Sequence, residues 1–186
     1  MRLFAAVKVS SQVSQNLGHF VERMRGNPEV PPKTVWVDEK NFHFTLKFFG
    51  EVSDPMIQNL ENALAGAASI PPFEVTLRSI GAFPALSHPR VIWAGVEDPS
   101  GGFARLADAI EKATVDAGFA AADKPFSPHL TLARLNHTAR PGLPKVLERS
   151  GDTFFGAMAV DHLALVKSTL TAKGPVYEDL RRWSLK

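Results

Sequence analysis

The tetrapeptide His43-Phe44-Thr45-Leu46 lies within Asn41-Phe42-His43-Phe44-Thr45-Leu46-Lys47-Phe48-Phe49-Gly50-Glu51-Val52. It recurs as His129-Leu130-Thr131-Leu132 within Phe126-Ser127-Pro128-His129-Leu130-Thr131-Leu132-Ala133-Arg134. The offset, 129 − 43 = 86, is close to half of the 186 residues. Aromatic and β-branched residues make the first copy a strong strand candidate over 42–49, and the second reads as a strand over 129–135. In a strand, residues two apart project from one face, about 6.6 Å apart at 3.3 Å per residue. His43 and Thr45 therefore share a face, Lys47 follows them, and Phe44 and Leu46 face the other way. In the second copy His129 and Thr131 pair off in the same manner. Alternation continued to residue 133 turns Arg134 away, unless a bend brings it to the rim. Each strand has one greasy face to pack and one polar face to line a groove.

The rest of the chain supplies the scaffold. Residues 3–8 read as a strand. Ser10 and Ser11 can cap a helix whose apolar stripe is Val13, Leu17, Phe20, Val21 and Met24, and Gly26-Asn27-Pro28 stops it. A short strand is expected over 34–37. Asp54-Pro55 opens a second helix bearing Met56, Leu60 and Leu64, with Pro55 suited to the first turn. Residues 73–80 and 90–96 read as strands joined by a turn-rich connection, Gly81 to Pro89. A third helix over 102–117 carries Phe103, Leu106 and Ile110, with Gly118 at its C-terminus. A loop with Pro141 and Pro144 leads to a short helix near Glu148. Residues 153–166 read mostly as strand, and 175–185 as a final extended segment. This interleaving of helices with hairpin-like strands predicts an α+β fold of antiparallel or mixed sheets in one domain, 1–186.

Composition narrows the class. Hydrophobic residues make up 45% and charged residues 22%, which fits a globular chain and excludes disorder, collagen and a coiled coil. Lys and Arg total 21 against 19 Asp and Glu, a formal charge of +2. That bias permits an anionic ligand without requiring one. There is no cysteine, which excludes disulfides, thiol nucleophiles and Cys-bound metals. No apolar run reaches the ~20 residues of a membrane span, and the start does not read as a signal peptide, so a cytoplasmic location is expected.

Two His-x-Thr strands facing one another suit acid–base chemistry on a small anion. Histidine titrates near neutrality, so one imidazole can accept a proton while the other donates. A β-branched threonine two residues away holds a hydroxyl for an anionic oxygen. Phosphate fits this set, and metal-free phosphodiester chemistry follows, because no third ligand is spaced for zinc. A single His-x-Thr in a strand is commonly structural; its repetition in strand context is what carries the reading.

With Trp36-Val37 and the tail Leu165-Val166-Lys167-Ser168, Gly174-Pro175, Tyr177 and Trp183, these segments resemble the two-histidine phosphoesterase superfamily over nearly the whole chain. Within it they are similar to the RNA 2′,3′-cyclic phosphodiesterases, also called 2′-5′ RNA ligases. The resemblance implies a bilobal fold, with two pseudo-symmetric lobes and outer helices around a central cleft. It implies hydrolysis of an RNA terminal 2′,3′-cyclic phosphate to a 2′-phosphomonoester, and the reverse 2′-5′ ligation, without a cofactor. By the same resemblance His129 is the general base, His43 the general acid, and Thr45 and Thr131 hold the non-bridging oxygens. Arg134 resembles a phosphate- or base-contacting arginine, with a surface ion pair as the other reading. Phe48 and Phe49 are candidates to stack on a base, with core packing expected of at least one. Lys47 either meets phosphates or faces solvent.

The expected partners are RNA 3′ ends bearing the cyclic phosphate, such as tRNA fragments, bound by a monomer away from any membrane. The alternatives are a phosphodiesterase of small cyclic-phosphate nucleotides and a non-catalytic module that binds RNA ends. The remaining histidines are assigned no chemistry: His19 is expected at the surface, His88 in a turn, His137 in a polar loop and His162 in a structural role.

Overall fold

The strand that opens the chain, β1 (Arg2–Lys8), has almost no solvent-exposed residue because its two faces are both covered. Leu3, Ala5 and Val7 enter the main core, while Phe4 and Ala6 join Ala164, Val166 and Tyr177 in a small second cluster. The computed structural model describes residues 1–136, 139–171 and 174–186, so His137 lies outside the described residues.

Ser10 caps α1 (Ser11–Arg25) by accepting from the Val13 amide, and the five apolar residues of its stripe are all buried. After the short β2 (Val35–Trp36) come β3 (His43–Glu51) and α2 (Asp54–Ala67), which buries Leu60 and Leu64. The strands β4 (Phe73–Ala85) and β5 (His88–Glu97) are longer than the sequence predicts. Gly81 to Pro89 is therefore not a loose connection: strand pairing runs out to Ala85 opposite His88, through a cis Phe83-Pro84 bond. Next come α3 (Gly102–Asp116), β6 (Leu130–Arg134) and α4 (Leu143–Arg149).

Residues 153–166 are mostly strand, as expected, but not one strand. They divide at Asp161 into β7 (Phe154–Val160) and β8 (His162–Thr171), which join different sheets. The final strand is β9 (Gly174–Ser184).

One sheet has the order β3-β1-β8-β9 and the other β2-β6-β5-β4-β7, with antiparallel pairing throughout. The order β3-β1-β8-β9 matches β6-β5-β4-β7, so the repeated tetrapeptides occupy equivalent strands. The α+β, bilobal expectation is met. α2 packs on β8 and β9 while α3 lies on β3; α1 lies on β7 and α4 on β4. Each sheet thus has its own pair of helices. Phe44 and Leu46 of β3 and Leu130 and Leu132 of β6 are buried in the shared core, as their greasy faces require.

The alternation along β3 and β6 is broken at one equivalent place in each, β3 having a further break at Phe49. On β3, Thr45 pairs with Ala6 and Lys47 with Ala5, which leaves Leu46 as an extra residue. On β6, Thr131 pairs with Trp93 and Ala133 with Ile92, which leaves Leu132 extra. Both are β-bulges, and each reverses the facing of the residues after it.

β4 admits no side chain at Gly81. A Cβ there would stand 2.1 Å from the Trp93 ring, which lies across its cross-strand partner Gly81. Gly81→Ala is expected to lower unfolding stability by roughly 1–3 kcal/mol, the usual cost of overpacking, and to change the Trp emission. Urea denaturation followed by fluorescence measures both; an unchanged midpoint would show that Trp93 is not seated on Gly81.

Candidate active site

Each motif histidine is fixed by a carbonyl two residues upstream. Nδ1 of His43 lies 2.6 Å from the Asn41 carbonyl oxygen, and Nδ1 of His129 lies 2.8 Å from that of Ser127. A carbonyl only accepts, so Nδ1 carries the proton in both rings. Nε2 is left on each ring as the atom available for proton exchange. The anchors are themselves 127 − 41 = 86 residues apart, the offset of the motifs. On β3, Nε2 of His43 lies 3.1 Å from Thr45 Oγ1. With Nδ1 protonated, a neutral His43 accepts from that hydroxyl. Imidazole and hydroxyl are thereby aimed at one point.

Aromatic rings wall both imidazoles. Phe4 and Tyr177 lie 5.0 and 5.3 Å from His43, centroid to centroid. Phe83 stands edge-on to His129 at 5.0 Å, with Trp93 at 6.5 Å. None of these four was expected beside a histidine from the sequence. Phe4 and Tyr177 come from strands far from residue 43 in the chain. Phe83 and Trp93 sit in a hairpin whose first half reads as a turn. The glycine at 81, opposite Trp93, is the one local sign of a ring lying flat on the sheet.

Burial is the main cause that lowers the proton affinity of His43, and the charge of Lys8 adds to it. The Asn41 carbonyl and Asp179 oppose the shift without cancelling it. Tyr177 is pushed up by burial, against the pull of Arg134 and Arg2. Arg134 belongs to one sheet, and Tyr177 and Arg2 to the other. Tyr177, whose ring packs on His43, thus feels the positive charge of a cation from each sheet.

The bulges decide the remaining residues. Thr45 is exposed and Thr131 half-buried. After the bulge at Leu46, Lys47 does not share the face of His43, contrary to simple alternation. It is 6% exposed and turned to α3, where its ammonium meets Glu111 at 2.8 Å and donates to Thr114 Oγ1 at 2.8 Å. That ion pair holds the Glu111 carboxyl below its ordinary range. Phe48 takes the place on the cleft face, 49% exposed, stacked on Phe4 and covered by the Arg2 guanidinium 4.9 Å above its ring. Phe49 packs on Phe119.

The bulge at Leu132 does the same for Arg134. Ala133 is buried and Arg134 is exposed on the face of Thr131, where regular alternation would have turned it away. Phe48 and Arg134 are equivalent positions, since 134 − 48 = 86. A groove of about 490 Å³ runs beside Thr45 and Phe48, between β3 and the loop 119–124.

The histidines assigned no chemistry stand apart from this set. His19 is exposed on α1, as the sequence predicts, and His88 is exposed at the hairpin tip beside Ser87. His162 is tied through Nδ1 to Asp161 at 2.6 Å. Among the described residues no three His, Asp or Glu side chains group as metal ligands, and no helix is long and apolar enough to cross a membrane.

Known proteins resemble the chain along its whole length. The family model described as 2′-5′ RNA ligase superfamily matches residues 13–171. An RNA 2′,3′-cyclic phosphodiesterase of Aeropyrum pernix is 40% identical over 152 residues, 81% of this chain and 85% of that protein. The crystal structure of the Thermus thermophilus protein TT0787 superposes with a TM-score of 0.81 at 33% identity, covering 100% of this chain and 98% of that one. Escherichia coli LigT complexed with 3′-AMP gives 0.76 at 29% identity, covering 99% and 97%. With a family match across most of its length and relatives alike in sequence and fold, the chain belongs to the 2′-5′ RNA ligase superfamily.

Proposed function

We propose that this chain is a metal-independent RNA 2′,3′-cyclic phosphodiesterase that opens a terminal cyclic phosphate to a 2′-phosphomonoester. The observation that carries the reading is the duplicated His-x-Thr strand, with each imidazole held at Nδ1 by an upstream carbonyl so that Nε2 is the nitrogen turned to proton transfer. The names of the relatives and the 3′-AMP bound to LigT support an RNA 3′ end as the ligand class.

In this reading Thr45 and Thr131 donate to the non-bridging oxygens of the cyclic phosphate. His129 Nε2 takes a proton from water as the water oxygen bonds to phosphorus. The bond from phosphorus to O3′ breaks, and His43 Nε2 gives its proton to O3′. The product is a 2′-phosphate and a 3′-hydroxyl, and the proton passes back through solvent. With a 5′-hydroxyl in place of water, His129 takes the proton of that hydroxyl, His43 again protonates O3′, and the ends are joined 2′-5′.

His43 suits the acid because its surroundings disfavour the imidazolium. The bound phosphate anion restores the proton, and the departing oxygen then draws it off readily. Arg134, brought to the cleft by its bulge, meets the phosphate or the terminal base. Phe48 stacks on a base, and the groove beside it takes the RNA preceding the end.

His43→Ala and His129→Ala are each expected to cut hydrolysis by about 10²–10⁴-fold, the range for losing a general acid or base. A phosphodiester with a p-nitrophenolate leaving group needs no protonation, so it should rescue His43→Ala and not His129→Ala. The reverse pattern would exchange the two roles, and parental rates in both variants would end the catalytic reading.

Activity on a cyclic-phosphate RNA is expected to persist in excess chelator; its loss, restored by one divalent ion, would require a metal mechanism. Phe48→Ala should raise KM more for an oligonucleotide than for a mononucleoside 2′,3′-cyclic phosphate. Equal effects would mean that the groove carries no RNA and would favour small nucleotides as substrates.

A further inference from the structure

Beside His43 lie charges that the reaction above does not use. Lys8 is the cross-strand partner of His43 on β1, so both side chains leave the same face of the sheet. Its ammonium lies 2.6 Å from Oδ1 of Asp179 on β9. Arg182, further along β9, reaches Oδ2 of the same carboxylate at 2.8 Å. The three form one network, with Lys8 and Asp179 about a third and a fifth exposed. Burial would raise the Asp179 carboxyl, yet its two cations outweigh burial and hold it below its ordinary range. Asp179 is therefore charged whenever His43 titrates.

Other charged groups lie on the elements around His43 and are engaged elsewhere. On β1, Arg2 covers Phe48. On β3, Lys47 turns to Glu111. On β8 and β9, Lys167 pairs with Glu178 at 3.5 Å and His162 with Asp161. In the turn before β3, Lys40 pairs with Asp38. From the facing sheet, Arg134 acts on Tyr177, whose neutral ring packs on His43. The charges that reach His43 are Lys8, which disfavours the imidazolium, and Asp179, which favours it. Phe4 and Tyr177 replace water on this flank, so these charges are weakly screened.

We propose that the Lys8–Asp179–Arg182 network is a positioning element for the reaction, fixing the field at His43 and so the pH range over which this imidazole holds the proton destined for O3′. The proposal rests on His43 as the general acid. Its signs follow from the charges. Lys8→Met removes the repelling cation and leaves Asp179, so the imidazolium persists to higher pH. Asp179→Asn removes the anion and leaves Lys8 and Arg182, so the imidazolium is lost at lower pH. The double variant falls between the two, and Lys8→Arg keeps the parental behaviour.

The test is an NMR titration of the His43 ring protons in the parent and these four variants, with kcat/KM followed against pH on a cyclic-phosphate oligonucleotide. The limb of the rate profile that tracks the His43 titration should move up in Lys8→Met and down in Asp179→Asn. Loosened packing would admit water to His43 and move both variants upward, so shifts in the same direction overturn the proposal, as do midpoints that stay in place. Full activity of His43→Ala would instead remove the assignment of His43 as the acid, whatever the titrations show.

Discussion

The geometry of the site depends on a bond that is easy to overlook, from an imidazole Nδ1 to a main-chain carbonyl two residues before it. The acceptor cannot donate, so the bond selects one tautomer and points Nε2 outward. It is made twice, by Asn41 to His43 and by Ser127 to His129, with the same 86-residue offset as the histidines. Without it each ring could present either nitrogen, and the Thr45 hydroxyl would have no fixed partner on His43. The strands β3 and β6 hold the carbonyl, the ring and the hydroxyl in line because their other faces are buried in one core.

The two halves are related but not equal. His43 is closed in by Phe4 and Tyr177 and stands beside an ion network, whereas His129 is flanked by Phe83 and Trp93. β3 is the edge of its sheet and opens on a groove, while β6 is covered on the equivalent side by β2. The bulges place an aromatic ring, Phe48, on one side of the cleft and a guanidinium, Arg134, at the equivalent position on the other. A cleft with such unlike sides receives an asymmetric ligand in one orientation. Two chemically similar histidines can then take different roles.

The buried Lys47 shows how the scaffold serves the cleft. An ammonium this deep is tolerated because Glu111 and Thr114 satisfy it, and Glu111 also accepts from the Ala122 amide. One carboxylate thereby ties the first motif strand to the loop that walls the groove and runs on toward Ser127 and His129. Few cations are left facing the cleft, which agrees with a formal charge of only +2 and would suit the proposed RNA end with its one or two phosphates.

Much of this was legible in the sequence. The repeat at 43 and 129, the polar and greasy faces of its strands, the stripe of α1 and the absence of cysteine follow from residue type and local period, which act within a few positions of the chain. What the sequence could not give is set by contacts between distant segments. Alternation turns Lys47 toward the cleft and Arg134 away from it, and one extra residue in each strand reverses both; whether a strand bulges depends on the strand it pairs with. Residues 153–166 read mostly as strand with no break marked, but the two sheets divide them at Asp161. Phe4, Tyr177, Phe83 and Trp93 carry no local mark of standing against a histidine, because folding brings that histidine to them. The sequence by itself determined the chemistry available, two imidazoles and two hydroxyls on repeated strands. The tertiary structure alone decided which atoms of that set face the cleft and which charges surround them, because facing and field are properties of strand pairing and of burial rather than of any residue taken singly.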